Sequence, residues 1–297
     1  MVFLGACSFG ILSTFVKLAY QEGYTLGDVV GTQVFFGFVI LWAIVLLRQL
    51  LNHKAKSIPV KDKLRLVAMG TSTGLVSIFY YKCVQTVPAS IAILLLMQFT
   101  WISLGLDALI KRRLPSLSQA GMVVLVLIGT AMAGRLFSGT TPDFDWQGIG
   151  YGLLAAACYS AFLMVNGAAG NQLHPSTKSA LILTGAFLLI MSIFPPAFLV
   201  NGALGQGLLK WGLLLAVFGT VIPPLFFAYG IPRTGLGLSA ILSAAELPVA
   251  VVMSSVVLQE EVWLEQWLGV LLILAAIVAA NLGAIFKKRH NKQLRAA

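Results

Sequence analysis

The sequence predicts an all-α polytopic membrane protein with ten transmembrane helices arranged as two inverted five-helix repeats. Three observations carry this. Of the 297 residues, 59% are hydrophobic and only 10% charged, whereas an average soluble domain carries about a quarter charged residues. The apolar residues come in runs of roughly 18 to 25, long enough to cross a bilayer as helices. The second half of the chain also tracks the first in register, with opposite charge in one pair of equivalent loops. A soluble globular protein is excluded.

The runs lie at roughly 1–20, 28–50, 64–83, 88–110, 117–135, 146–169, 176–198, 207–231, 236–258 and 263–286. The first starts at Met1 without a basic region or a small-residue cleavage site, so it is expected to be a retained helix rather than a signal peptide. Asp28 caps the second and Pro88 opens the fourth, both positions that helix starts favour. Gly70, Gly74, Ser77 and Tyr81 share one face of the third, and Gly148, Gly152, Ala155, Tyr159 and Phe162 one face of the sixth. Small residues in such stripes let helices approach closely. Connections are short except between runs two and three and around Pro142. The expected organisation is a first repeat at 1–137, a linker at 138–145, a second repeat at 146–286 and a basic tail at 287–297.

Orientation follows from the positive charges. With the N-terminus in the cytoplasm, the inside loops hold Arg48, Lys54, Lys56, Lys61, Lys63, Arg65, Lys111, Arg112, Arg113, Lys178 and Arg233, and the tail adds five more. The outside keeps Lys82, Arg135 and Lys210. This bias predicts that both termini are cytoplasmic. It also accounts for the net charge of +10 without nucleic acid as a partner. Trp146, Trp211, Trp263 and Trp267 fall at outer ends, as interfacial tryptophans do.

A shift of 148 residues aligns Tyr81 with Tyr229, Ala92-Ile93-Leu94 with Ala240-Ile241-Leu242, and Gly121 with Gly269. It also aligns Lys111-Arg112-Arg113 with Gln259-Glu260-Glu261. Five spans per half is an odd number, so equivalent loops face opposite sides and the charge reversal is what the positive-inside rule requires. Inverted repeats recur in secondary transporters, whose site lies at the midplane between the halves.

Several chemistries lack their residues. Three cysteines without CxxC spacing imply neither a disulfide framework nor a zinc site. All three histidines fall in loops or the tail, so no haem pair or intramembrane Ser–His dyad can be built. There is no G-K-[ST] loop for ATP. No metal, cofactor or enzymatic activity is expected.

Glu246 is the outstanding candidate, at the centre of the ninth span with no compensating charge on its own helix. An ionised carboxylate there costs a few kcal/mol or more, so the group either carries a proton or meets a cation. It is the candidate for proton or amine coupling; the bland alternative is a protonated packing residue. Ser239, Ser243 and Met253 share its face. Pro248 frees the carbonyl of Ala244, and Pro223-Pro224 those of Gly219 and Thr220, so these prolines are candidate breaks or hinges. Gln98 holds the repeat-equivalent position of Glu246, with Trp101 on its face as a stacking surface. Gln98, Trp101, Ser243, Tyr159 and Lys17 complete the candidate substrate site. Lys17, one turn after Ser13, either snorkels to the interface or binds a carboxylate in the cavity. Asp107 pairs with the nearby cations.

The stretch Ala240-Ile241-Leu242-Ser243-Ala244-Ala245-Glu246-Leu247-Pro248 resembles a helix centre of the EamA-like family of the drug/metabolite transporter superfamily. Gln259-Glu260-Glu261-Val262-Trp263 and Gln266-Trp267-Leu268-Gly269-Val270 resemble its acidic loop and last helix, and Phe9-Gly10-Ile11-Leu12-Ser13-Thr14-Phe15-Val16-Lys17 its opening helix. One departure is Thr100, where the first-half helix often has proline. The resemblance implies a bacterial inner-membrane carrier, often an exporter of amino acids or related metabolites, with a cavity lined by helices 1, 3, 4, 6, 8 and 9.

The function expected is a secondary transporter that exports a small amino-acid-like or amine metabolite by alternating access, coupled to protons through Glu246. A lipid or lipid-linked-sugar flippase and a non-transporting scaffold are the alternatives. The expected partners are the substrate, the lipid bilayer and protons, and the chain is expected as a monomer or weak homodimer.

Overall fold

A computed structural model describes residues 1–51, 58–87, 89–112, 114–133, 145–259 and 261–294. Among these residues the chain is entirely helical, without strands. In chain order the helical segments are α1 (Val2–Gln21), α2 (Leu26–Leu50), α3 (Val60–Thr86), α4 (Ala89–Leu96 continuing as Phe99–Lys111), α5 (Leu117–Ala133), α6 (Trp146–Ala168), α7 (Pro175–Ile193), α8 (Leu204–Thr234), α9 (Leu236–Val257) and α10 (Leu264–Leu294). Seven of them, α1, α2, α4 and α6–α9, are long and apolar enough to cross a bilayer, and α5 and α10 carry shorter apolar stretches. Leu46, Leu50, Leu117 and Leu271 project outward, the surface expected of helices solvated by lipid. The chain is a multi-pass membrane protein.

Local chemistry sets the helix ends. Thr25, rather than Asp28, is the N-cap of α2: its hydroxyl accepts from Asp28 N–H, and the Asp28 carboxylate accepts from Thr25 N–H. The two residues make a reciprocal capping box, so the cap lies one turn before the expected position. His174 caps α7 by accepting from Ser176 N–H, with Pro175 in the first turn. Pro88 and the loop around Pro142 lie outside the described residues.

The halves pack mainly across each other. α3 lies against α6 and α7, α2 against α7 and α8, α1 against α8 and α9, α4 against α6 and α9, and α5 against α10. Glycine makes the closest of these contacts possible. A Cβ on Gly70 would collide with the carbonyl of Ile182, and one on Gly185 with the carbonyl of Val67, so α3 and α7 touch backbone to backbone. Gly129 and Gly269 make the same kind of contact between α5 and α10.

Three helices are interrupted mid-length: α1 at Ile11, α4 at Met97–Gln98 and α9 at Ala244–Ala245. Pro248 leaves the Ala244 carbonyl without its helical donor, and Leu247 N–H takes its place at 3.2 Å. In α4 no proline is present. There the Thr100 hydroxyl donates to the Met97 carbonyl at 2.9 Å, and the Gln98 side chain donates to the Leu94 carbonyl at 3.0 Å. Before Pro223-Pro224, α8 opens into a π-helical turn at Ala216–Val221, the distortion expected where a donor is missing.

Two residues, Lys178 and Trp211, differ from their sequence assignment. Lys178, counted with the loop cations, is buried in the first turn of α7 at 1% exposure. Its ammonium donates to the Asn166 carbonyl and to Asn171 Oδ1 at 2.6 and 2.8 Å, holding the end of α6 to α7. Trp211 is also buried, because Glu22 in the α1–α2 loop accepts from its indole N–H at 2.7 Å and pairs with Lys210 at 2.7 Å. Trp146, Trp263 and Trp267 are exposed as interfacial residues are. The expected Asp107 pair forms with Lys111 at 2.7 Å.

Hydrogen bonds from Lys210, then from Trp211, hold the Glu22 carboxyl below the usual carboxylate value. A depressed value means that the clamp holds above the ordinary carboxylate range and is lost as pH falls through the lowered value. In a variant keeping Trp211 as its sole tryptophan, acrylamide quenching should rise once pH falls below the ordinary carboxylate range. Glu22→Gln should show that higher quenching already at neutral pH, and emission that ignores both changes would contradict the clamp.

Candidate functional site

The breaks in α1 and α9 meet. Gly10, beside the interruption of α1, lies so close to α9 that a Cβ there would collide with the backbone carbonyl of Glu246. This crossing brings the Glu246 side chain to a central cavity lined by residues of α1, α2, α3, α4, α6, α8 and α9. On one side are the aromatic rings of Phe9, Tyr159 and Phe162. Tyr159 stacks on Phe162 at 5.8 Å between centroids and meets Phe99 edge to face at 4.6 Å. These rings exclude water from one flank of the acid.

Tyr159 donates a long hydrogen bond of 3.4 Å to Glu246 Oε2. Among the described residues no lysine or arginine lines this cavity. The carboxyl is half-buried and opens onto the cavity. It is thus an acid with one weak protein partner and room beside it, chemically able to take up a proton or to meet a ligand's ammonium.

The sequence-predicted residues separate into groups. Glu246 and Tyr159 share the cavity. Lys17 lines a second cavity with Thr14, Ser254, Glu261 and Gln266, which shares Ser13, Ile93 and Ala250 with the first. Gln98 sits at the break of α4, where its Oε1 accepts from Trp101 Nε1 at 2.9 Å. Neither residue lines the central cavity, and Trp101 is half exposed. Ser243 is fully buried outside the cavity, and its hydroxyl lacks a hydrogen-bond partner among the described residues. Pro223, Pro224 and Pro248 are buried beside the irregular turns of α8 and α9.

Other cavity residues were not legible beforehand. Gln33 of α2 is buried at 2% exposure, and its Oε1 accepts from the Tyr81 hydroxyl at 2.8 Å. Thr220 of α8 donates to the Gln33 carbonyl at 3.3 Å. Thr73 and Tyr80 also line the space. The 148-residue shift pairs Gln33 with Leu181, so comparing the halves gives it no signal, and α2 was not among the expected cavity helices. An amide inside an apolar run was the only available clue.

Comparisons with known proteins agree with this architecture. The threonine/homoserine exporter RhtA of Salmonella typhimurium (strain SL1344) is 27% identical over 240 residues, spanning 79% of this chain and 75% of its own length. RhtA of Escherichia coli (strain K12) is 27% identical over 242 residues with the same coverage. A protein crystal structure with 16% identity matches at a TM-score of 0.71 over 95% of this chain and 98% of its own, a likeness of fold alone. The EamA-like transporter family matches residues 1–135 and again residues 146–282. A membrane-embedded helical protein with a central cavity, matched over nearly its whole length, the chain belongs to the EamA-like transporter family.

Proposed function

We propose that this chain is a secondary transporter that exports a small amino-acid-like metabolite across the cytoplasmic membrane, with Glu246 as the group that exchanges protons or holds the substrate's amine. The carrying observation is the half-buried carboxyl that opens onto a cavity lined from both halves, with Tyr159 as its weak partner. Two curated relatives are threonine/homoserine exporters, which supports a small hydroxylated amino acid as the substrate class.

Alternating access between two inverted halves has separate support. The family matches the chain twice, with the division at residues 136–145, consistent with repeats at 1–137 and 146–286. The packing pairs exchange among themselves when each helix is replaced by the one five places along: α1 with α8 becomes α6 with α3, and α2 with α8 becomes α7 with α3. α4 with α6 becomes α9 with α1, while α2–α7, α4–α9 and α5–α10 map onto themselves. Such an exchange is expected of two halves related by a pseudo-twofold axis, and five spans per half would place that axis in the membrane plane. The breaks of α4 and α9 also fall within one residue of each other under the 148-residue shift.

In this reading α3 completes ten spans, its uncharged centre between Arg65 and Lys82 covered by α6 and α7, and both termini are cytoplasmic. The second cavity, with Lys17, is the outward route from the site. Gln98 and Trp101 hold the break of α4, and Pro223, Pro224 and Pro248 mark where α8 and α9 bend. The test is counterflow of radiolabelled threonine and homoserine in proteoliposomes, with luminal pH read in parallel. Exchange of either solute supports the reading. Absence of exchange across a panel of amino acids and amines would sink it and favour a lipid flippase or scaffold.

A further inference from the structure

We propose that Gln33, held by Tyr81, is the group that recognises the substrate's carboxylate in the central cavity and so sets its preference for amino acids over simple amines. The proposal rests on the reading of this cavity as the transport site. An amino acid presents two charges, and Glu246 can answer only the ammonium. A carboxylate taken from water into this space needs hydrogen-bond donors, and among the described residues no cation lines it.

Several lining hydroxyls already have acceptors. Tyr81 donates to Gln33, Tyr159 to Glu246, and Thr220 to the carbonyls of Gln33 and Ala216. The Gln33 amide is different. Its oxygen is pinned by Tyr81, which sets the direction of its NH2, and its Nε2 has no acceptor among the described residues. Gly219 leaves room beside that nitrogen, since a Cβ there would crowd it at 2.7 Å. The Thr73 hydroxyl lines the same cavity and lacks a hydrogen-bond partner among the described residues. A neutral amide recognises a carboxylate without placing a second charge in the low-dielectric interior.

The experiment compares two solutes that differ by the carboxylate, threonine and 1-aminopropan-2-ol, in counterflow by wild type, Gln33→Leu, Gln33→Glu and Tyr81→Phe proteoliposomes. Gln33→Leu removes a hydrogen bond to a charged group and should lower threonine exchange about tenfold or more, leaving the amine within about twofold. Gln33→Glu should suppress threonine further by repulsion while sparing or raising amine exchange, and Tyr81→Phe should fall between wild type and Gln33→Leu. Threonine and amine exchange that decline in parallel in Gln33→Leu, or that both hold at the wild-type level, would overturn the assignment while leaving the transport site in place. A wild-type protein that moves neither solute would overturn the transport reading beneath it.

Discussion

Glu246→Gln should abolish proton-linked movement of substrate, because an amide keeps the shape of the carboxyl but can neither release a proton nor neutralise an ammonium. The two roles separate experimentally. If Glu246 carries the proton, the variant loses substrate-driven luminal pH change yet still exchanges substrate for substrate. If Glu246 holds the substrate's amine, exchange itself falls, since truncating one partner of a buried charge pair costs about 2–5 kcal/mol, or about thirtyfold to several thousandfold in affinity. Tyr159 and the aromatic wall remain in either case, so the folded protein should elute from size exclusion as wild type does. Unchanged flux and unchanged luminal pH would recast the acid as a packing residue.

The second large effect concerns glycine rather than charge. Gly70→Leu or Gly185→Leu should cost about 3 kcal/mol or more, because the new side chain meets the backbone of the facing helix, at Ile182 or at Val67, and not a side chain able to swing aside. The variant should fail to survive detergent extraction or lose its monodisperse peak many degrees earlier. Gly121→Ala is the internal control. A Cβ there meets nothing within 4 Å, so replacing a mid-helix glycine should be neutral or stabilising by up to about 1 kcal/mol. Equal tolerance at Gly70 and Gly121 would contradict the close α3–α7 contact.

These contrasts mark how much a one-dimensional reading can hold. Apolar run lengths and loop charges made the membrane class legible, since a bilayer imposes those patterns residue by residue. Glu246 was legible for the same reason: an acid in the middle of an apolar span is expensive wherever its helix packs. The repeat offset paired Gln98 with Glu246, but the break of α4 beside Gln98 was not legible, because no proline marks it; there the side chains of Gln98 and Trp101 bond to each other along α4. Lys178 and Trp211 were placed by their distance from span ends, and neighbouring chain segments enclosed them.

What the sequence determined by itself was therefore the membrane-embedded helical class, the family and the central acid, because each depends on composition or on local order along one helix. Only the tertiary structure decided which side chains face that acid. Gln33 and Thr220 come together from opposite halves, 187 positions apart in the chain, through helix crossings set by glycines whose freedom to be replaced depends entirely on the partner helix. The distance between such groups is a property of packing, and packing energies act between residues that no local pattern connects.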